Sequence, residues 1–168
     1  MKRFSMRHLF LIGAALMMVF FAACSKDEGE AYDPTPQFNK DVDSIKAYLK
    51  AHSLTAVQDS LSGIYYNISA KGNGVDSVKY SNTKVKTLYT GKLLSDVVFD
   101  STGTTPREFY VGQVIVGWQF ALTRITKGGK IRVYLPSYYG YGRQAQNGIP
   151  ANSPLIFDIE LVDLTNPQ

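Results

Sequence analysis

The side chains that could do chemistry in this chain are mostly aromatic. A single tryptophan, Trp118, accompanies 11 tyrosines and 9 phenylalanines. The only cysteine is Cys24, and the only histidines are His8 and His52. Imidazole acid-base catalysis and His/Cys metal sites need more of these residues than the chain supplies. The composition therefore argues against a histidine-based acid-base device and a His/Cys metal site, and we expect no metal or cofactor.

Trp118 is predicted to lie on a short helix. Trp118, Ala121, Leu122 and Ile125 are spaced at i, i+3, i+4 and i+7, which places them on one helical face. The lysine and two glycines at 127–129 are predicted to end this helix, because glycine adopts the left-handed cap conformation without steric cost. A tryptophan on such a face is most often a core residue. The helix alone does not distinguish a core from the floor of a pocket.

Alternating apolar and polar residues predict six short strands around this helix. The alternation runs over residues 64–69, 83–90, 97–100, 108–111, 130–135 and 155–164. Five or six strands with one central helix predict an α+β fold in which an antiparallel sheet wraps the helix. Residues 136–154 form a long loop with three tyrosines, and loops of that length are usually functional or disordered.

The first 23 residues are predicted to be a signal peptide that is removed on export. Lys2, Arg3 and Arg7 precede an uncharged stretch at 9–23, and its fifteen residues are too few to span a bilayer comfortably as a helix. Cys24 follows two alanines, a pattern that resembles the lipobox of bacterial lipoproteins, in which the cysteine is acylated. The alternatives are a free buried thiol and a cysteine beside an ordinary cleavage site.

Lipidation of Cys24 would attach the protein to a membrane that it does not span. Each buried methylene adds about 0.8 kcal/mol to such an anchor. Ser25 argues against retention at the inner membrane, so the expected location is the bacterial cell envelope at the outer membrane, facing the periplasm or the surface. Removal of residues 1–23 leaves fifteen basic and fourteen acidic side chains. This balance gives no basis for nucleic-acid binding.

A tether and a second helix are predicted between Cys24 and the sheet. Residues 24–38 are polar and contain Pro34 and Pro36, which is typical of an extended linker. Residues 39–60 are predicted as a helical appendage capped by Asn39, with acidic residues in its first turn and an apolar stripe. The stripe could pack on the main domain, at 61–168, or pair with a second copy.

Several motifs in order resemble FKBP-type peptidyl-prolyl cis-trans isomerases. They are the runs at 85–93 (VKTLYTGKL), 98–101 (VFDS), 112–118 (GQVIVGW), 127–130 (KGGK) and 155–161 (LIFDIEL), together with Phe109, Tyr141-Gly142 and Ile149-Pro150. The resemblance extends over residues 83–164. It implies the FKBP fold, proline-containing polypeptide substrates, macrolide inhibitors as ligands, and a role in folding exported envelope or surface proteins.

The resemblance also implies a set of site residues. It gives catalytic roles to Tyr89, Phe99, Asp100, Trp118, Tyr141 and Phe157, and substrate contacts to Phe109, Val114, Ile115, Ile149 and Arg107. Trp118 would be the pocket floor beneath the proline ring, and the Tyr141 hydroxyl and the Ile115 N–H would donate hydrogen bonds to substrate carbonyls. Several of these residues, such as Phe157 and Val114, also fit a purely structural core.

The residues suit this chemistry independently of the resemblance. Rotation about an X-Pro bond needs neither a nucleophile nor a proton shuttle, only relief of the amide resonance that sets a barrier of about 18–20 kcal/mol. The twisted imide has lost its charge separation, so a dry aromatic pocket favours it over the planar ground state. The alternative is a peptide-binding chaperone on the same fold with little turnover.

Arg107 departs from the family pattern. Family members usually carry an aromatic residue at this position, at the edge of the pocket. An arginine there could stack over a substrate or add positive charge to the rim. We therefore expect Arg107 to alter substrate preference and macrolide affinity more than activity.

Overall fold

The structure, a computed structural model, describes residues 32–168. The predicted signal peptide, the lipidation site Cys24 and residues 25–31 of the predicted tether lie outside the described residues. In the part of the chain that is described, no helix is both long enough and apolar enough to cross a membrane.

A seven-stranded antiparallel sheet forms the framework of residues 34–168. The helices are α1 (Thr35–Ala51) and α2 (Val116–Leu122), and short 3-10 helices occupy Val111–Gln113 and Ser137–Tyr139. The strands are β1 (Val57–Gln58), β2 (Tyr65–Ala70), β3 (Lys84–Leu93), β4 (Val98–Ser101), β5 (Arg107–Tyr110), β6 (Lys130–Leu135) and β7 (Leu155–Thr165). Their order is β1-β2-β6-β7-β3-β4, with β5 also paired to β3.

Both faces of this sheet are covered by apolar contacts. Because side chains alternate along a strand, Tyr66 and Ile68 of β2 point to the α2 side while Tyr65 points to the other. The α2 side carries the larger core, which includes Trp118, Leu122 and buried residues of β3, β6 and β7. The predicted α+β fold with an antiparallel sheet around one central helix is confirmed.

The N-terminal helix packs on the opposite face of the sheet. Its predicted stripe is buried against three sheet residues: Val42, Ile45 and Leu49 lie on Tyr65, Tyr134 and Ile156. Of the two arrangements that the sequence left open, packing on the main domain is the one observed. The stripe is therefore already covered by the chain's own sheet.

The prediction that this helix begins at Asn39 was wrong, because α1 begins at Thr35. Pro36 lies in its first turn, where a missing backbone N–H costs nothing because that group has no partner within the helix. The prolines at 34 and 36, interpreted as part of a tether, therefore mark the start of the helix. Asn39 is an interior residue of α1 and not its cap.

The prediction for the end of the Trp118 helix was also wrong, because α2 ends at Leu122. The Thr123 hydroxyl donates to the carbonyls of Gln119 and Phe120, which satisfies acceptors of the last turn. Ile125 lies beyond the helix and is still buried. Lys127 does not sit in the last helical turn, and it forms an ion pair with Asp163 at 2.7 Å.

The six predicted strands are all present, and their ends differ by at most three residues from the prediction. The seventh strand, β1, was missed. It has two residues, both exposed, and so it has neither the length nor the alternation that identifies a strand in a sequence.

Candidate functional site

An open pocket of about 500 Å³ lies between α2, the inner face of the sheet and the β6–β7 loop. Ten of the eleven predicted pocket residues line it: Tyr89, Phe99, Asp100, Phe109, Val114, Ile115, Trp118, Tyr141, Ile149 and Phe157. The eleventh, Arg107, contacts Tyr89 and Asp100 at the rim. The structure thus brings residues from seven segments to one cavity, and their roles toward a substrate stay predictions.

The floor of the pocket is the Trp118 indole in the first turn of α2. Its side chain is only 4% exposed. Three rings meet it edge to face, at centroid distances of 4.8 Å for Tyr89, 5.6 Å for Phe109 and 5.4 Å for Phe157. Such edge-to-face pairs are favoured by the quadrupoles of the rings and fix their relative orientation. Trp118 and these three rings form a preformed aromatic box at the floor of the pocket.

A glycine in β3 makes room for one corner of this box. Gly91 pairs with Phe157 of β7, and the Phe99 ring of β4 packs edge to face on Phe157 at 5.6 Å. A Cβ at position 91 would lie 2.6 Å from Phe99 and 2.8 Å from Phe157. Any side chain larger than hydrogen would displace one of these two pocket walls.

A charged network closes the rim above Tyr89. The Tyr89 hydroxyl donates to Asp100 Oδ2 at 2.5 Å, and Arg107 Nη1 donates to the Tyr89 oxygen at 3.0 Å and to Asp100 Oδ1 at 3.3 Å. The guanidinium also lies over the Tyr89 ring, 5.9 Å from its centroid. Burial, followed by the hydrogen bond to Asp100, raises the pKa of Tyr89 to about 12. This hydroxyl therefore keeps its proton at neutral pH.

The β6–β7 loop supplies Tyr141 and Ile149. The loop is organised by backbone bonds: the N–H groups of Gly140 and Gly142 both donate to the Ser137 carbonyl at 2.9 Å. Tyr141 is partly exposed at the pocket mouth. Burial, and then the negative charge of Asp100, raise the pKa of the Tyr141 hydroxyl above its ordinary value. The hydroxyl therefore remains a hydrogen-bond donor at neutral pH.

Three polar residues in the pocket lining were not predicted: Gln113, Gln146 and Asn147. Gln113 lies in the 3-10 helix before α2, and the other two lie in the β6–β7 loop. Polar residues in irregular segments follow no periodic pattern, so only its place inside the motif at 112–118 could have indicated Gln113.

A wider groove of about 650 Å³ lies on the other face of the sheet. Its lining is largely polar and includes Arg132 and Asp158, whose side chains are joined by two hydrogen bonds of 2.5 and 2.9 Å. These charges neutralise each other, and the only aromatic residues in the lining are Tyr89 and Tyr134. Larger volume alone does not make it the better site for an apolar ligand.

The side chains of the site are suited to binding an apolar group. Among residues 32–168, no group of three or more His, Cys, Asp or Glu side chains is arranged to hold a metal ion. The one carboxylate in the pocket lining, Asp100, is engaged by Tyr89 and Arg107. The pocket can therefore enclose a small apolar ring while the Tyr141 hydroxyl faces polar groups at its mouth.

Several known proteins are similar to this chain in sequence. A sequence-family model described as FKBP-type peptidyl-prolyl cis-trans isomerase matches residues 77–162. The chain is 41% identical over 124 residues to the FKBP-type peptidyl-prolyl cis-trans isomerase FkpA of Buchnera aphidicola (strain Sg), covering 72% of this chain and 49% of that protein. It is 45% identical over 115 residues to a probable isomerase of this type from Haemophilus influenzae, covering 67% and 46%. The chain spans about half the length of the curated relatives it matches.

Solved structures show the same fold. The crystal structure of FkpA from Escherichia coli superposes with a TM-score of 0.65 at 26% identity, covering 98% of this chain and 75% of that one. A peptidyl-prolyl cis-trans isomerase from Pseudomonas syringae pv. tomato superposes with a TM-score of 0.63 at 25% identity, covering 82% of this chain and all of that one.

Proposed function

The chain belongs to the FKBP-type peptidyl-prolyl cis-trans isomerase family, and on that premise we propose that it catalyses cis-trans isomerisation of X-Pro bonds in polypeptides. The observation that carries this proposal is the aromatic box around Trp118, with tyrosine hydroxyls at its mouth. A proline ring is small and apolar and fits such a floor. The flanking peptide carbonyls need donors at the rim.

The mechanism is differential binding of the twisted imide. A planar X-Pro bond is polarised by resonance, and rotation through about 90° removes that polarisation at a cost of about 18–20 kcal/mol. Enclosure by Trp118, Phe99 and Phe157 excludes water from the substrate. Water stabilises the polarised planar form of the bond more than the twisted form, so its exclusion favours the twisted form. The walls therefore lower the barrier without forming any bond to the substrate.

The rim residues orient the substrate in this mechanism. The Tyr141 hydroxyl donates a hydrogen bond to a carbonyl next to the proline, which fixes one end of the rotating bond. The Asp100 carboxylate is held by Tyr89 and Arg107, so its charge is compensated at the pocket edge. A fixed and partly neutralised carboxylate can face the imide without attracting water into the box.

A protease-coupled isomerisation assay with an Ala-X-Pro-Phe peptide tests this function. The full chain is compared with Trp118→Ala, which removes the floor, and with Tyr141→Phe, which removes one donor. We expect kcat/KM to fall at least tenfold in the first variant and about two- to tenfold in the second, as loss of one hydrogen bond predicts. Tyr138→Phe is the matched control, since Tyr138 lies in the same loop and is 60% exposed.

The assay also decides between an isomerase and a peptide-binding module. A wild-type rate no higher than that of a folded Trp118→Ala variant would overturn the proposed activity. If the same peptide still bound the wild-type protein, the alternative of a chaperone with little turnover would replace it. Competition by a macrolide ligand, measured in the same assay, tests whether such inhibitors occupy the box beside Arg107.

We further propose that the protein works at the bacterial cell envelope, anchored by an acylated Cys24 and acting on exported polypeptides. The support is in the sequence: a positive n-region, an apolar stretch and two alanines directly before the only cysteine. Metabolic labelling with an alkyne fatty acid should mark the wild-type chain and not Cys24→Ala. Absence of label on the wild-type chain would overturn the anchor. Cell fractionation of the labelled protein tests the outer-membrane location.

A further inference from the structure

Helix α1 crosses the end of the sheet from which two segments that line the pocket depart. Leu93 at the end of β3 and Leu135 at the end of β6 both pair with Leu155 at the start of β7. Beyond Leu93 the chain turns into β4 with Phe99 and Asp100. Beyond Leu135 it enters the β6–β7 loop with Tyr141 and Ile149. The helix contacts both departing segments from the face opposite the pocket.

The first contact is a buried carboxylate on α1. Asp41 is 1% exposed, and its Oδ2 accepts hydrogen bonds from the Ser137 backbone N–H at 2.8 Å and from the Ser137 hydroxyl at 2.5 Å. Its Oδ1 accepts a third bond from Gln37 at 2.6 Å. Burying a carboxylate is costly unless its oxygens are satisfied in a definite geometry. The contact therefore fixes the position of Ser137 relative to α1 more closely than an apolar contact would.

Ser137 in turn fixes the loop that holds Tyr141. Its carbonyl accepts the N–H groups of Gly140 and Gly142, the two neighbours of Tyr141, at 2.9 Å each. Phe38 of α1 packs on Tyr139 in the same loop, with ring centroids 6.3 Å apart. Asp41 is therefore connected to Tyr141 through a single residue, Ser137, and the short turn that Ser137 closes.

The second contact joins the C-terminal end of α1 to the β3–β4 turn. The Tyr48 hydroxyl donates to Asp96 Oδ1 at 2.7 Å, and His52 Nε2 lies 3.4 Å from Asp96 Oδ2. Asp96 has a φ of +63°, a conformation that is uncommon for residues other than glycine. The turn that leads to Phe99 and Asp100 is thus held by the same helix.

We propose that α1 is a positioning element for the substrate pocket and that Asp41 is its principal positioning residue, which sets the place of Tyr141 through Ser137. This inference rests on the proposed isomerase function, because its consequence for turnover concerns that reaction. A helix that only covered the outer face of the sheet would need its apolar stripe and no buried carboxylate. The polar contacts to Ser137 and Asp96, in the two segments that lead to the pocket walls, distinguish a positioning element from a simple cover.

The test compares Asp41→Asn with Asp43→Asn in the full chain, at a temperature where circular dichroism shows both variants folded. Both substitutions remove one negative charge from α1, but Asp43 is exposed and pairs only with Lys46 at 3.4 Å. Because small displacements of a positioning group can cost up to about a hundredfold in rate, we expect Asp41→Asn to lower kcat/KM about tenfold, mainly through kcat. Asp43→Asn should stay within about twofold of wild type.

Amide hydrogen exchange supplies a readout that does not depend on activity. In Asp41→Asn, the amides of Gly140 and Gly142 should exchange at least about tenfold faster, while the Ile159 amide at the centre of β7 keeps its wild-type rate relative to global unfolding. Ser137→Ala, which keeps the backbone bond to Asp41 and loses the hydroxyl bond, should shift both readouts in the same direction by less. Tyr48→Phe should accelerate exchange of the Leu93 amide, which closes the β3–β4 turn, and leave Gly140 unchanged.

The outcomes separate this inference from the proposed function. If Asp41→Asn matches Asp43→Asn in both kcat/KM and loop-amide exchange, the positioning role is overturned, whether or not the protein is an isomerase. If the wild-type chain has no isomerase activity, the proposed function fails, and the exchange of Gly140 and Gly142 alone decides the positioning role. Equal acceleration of all amides, including Ile159, would show a purely structural effect and would also overturn it.

Discussion

Arg107 lies at the rim of the pocket, where the resemblance to the family led us to expect an aromatic residue. Its guanidinium is about half exposed, bonds to Asp100 and Tyr89, and lies over the Tyr89 ring. The sequence predicted a positive charge at the pocket edge, and the structure places it there together with a carboxylate that compensates it. The electrostatic effect on a substrate should therefore be modest and should concern the residue next to proline.

This placement predicts a charge preference that depends on Arg107. The ratio of kcat/KM for a Glu-Pro peptide over a Lys-Pro peptide should fall about two- to fivefold in Arg107→Gln, because exposed charge pairs contribute about 0.2–1 kcal/mol. Lys86→Gln is the matched control, since it removes the same charge from an exposed lysine that pairs with Glu108 at 3.3 Å outside the pocket. An unchanged ratio in Arg107→Gln would exclude a role for Arg107 in substrate choice.

The raised pKa of Tyr89 predicts that the free energy of unfolding depends on pH in the alkaline range. Burial and the hydrogen bond to Asp100 raise its pKa from 10 to about 12, so above pH 10 the unfolded chain releases a proton that the folded chain retains. Stability from this group is complete below pH 10 and is lost as the pH rises toward 12. Urea unfolding between pH 9 and 11 should show a steeper decline in the wild type than in Tyr89→Phe. Superimposable declines would contradict the assignment.

At the residue scale, the sequence indicated the residues that line the pocket but not the residues that hold its loops in place. Trp118, Tyr89 and Phe157 could be predicted because they stand in motifs with fixed spacing. Asp41 was predicted only as one of the acidic residues in the first turn of the N-terminal helix, whereas it is buried against Ser137, 96 residues away in the chain. Contacts across such distances leave no periodic signal, so a single sequence does not indicate them.

At the scale of elements, the sequence predictions were wrong about where α1 begins and where α2 ends. The apolar spacing of 118–125 continues past Leu122, but α2 ends at Leu122, and Ile125 is buried in a segment beyond the helix. The prolines at 34 and 36 suggested a linker, but proline is compatible with a first helical turn. The strands were predictable because their two faces meet different surroundings, which gives a clear alternation.

The corner between β3, β4 and β7 gives the sharpest prediction for an element. Gly91→Ala would bring a methyl group within 2.6 Å of Phe99 and 2.8 Å of Phe157, so we expect a loss of about 1–3 kcal/mol in the free energy of unfolding. Displacement of these walls should also lower kcat/KM several-fold. Urea unfolding and the isomerisation assay measure the two effects.

Two further variants control for this prediction. Thr90→Ala changes the adjacent position of β3, which lines the groove on the other face of the sheet, and should leave kcat/KM unchanged. Phe99→Leu combined with Gly91→Ala should recover part of the lost stability, because a smaller side chain makes room for the new methyl group. A double variant no more stable than Gly91→Ala would show that the steric account of this corner is wrong.

For the molecule as a whole, one sheet packs against two helices, α2 on its inner face and α1 on its outer face. Its inner face and α2 form the pocket floor, and its outer face carries α1, which contacts the two segments leading to the pocket walls, at Ser137 and Asp96. The fold class could be predicted from the number and spacing of the elements. The place of α1 could not, because its apolar stripe fits a sheet or a second helix equally well. The matched family region, 77–162, begins after α1.

The most direct test of the account is exchange NMR on a peptide with one X-Pro bond and a natural mixture of isomers. Added wild-type protein should raise the cis-trans exchange rate at equilibrium, and the same titration should shift the Trp118 indole N–H resonance in the tryptophan spectrum of this single-tryptophan chain. Tyr141→Phe should keep the Trp118 shift and reduce the exchange rate. A wild-type protein whose Trp118 resonance shifts on peptide binding while the exchange rate stays at its uncatalysed value would contradict the proposed catalysis.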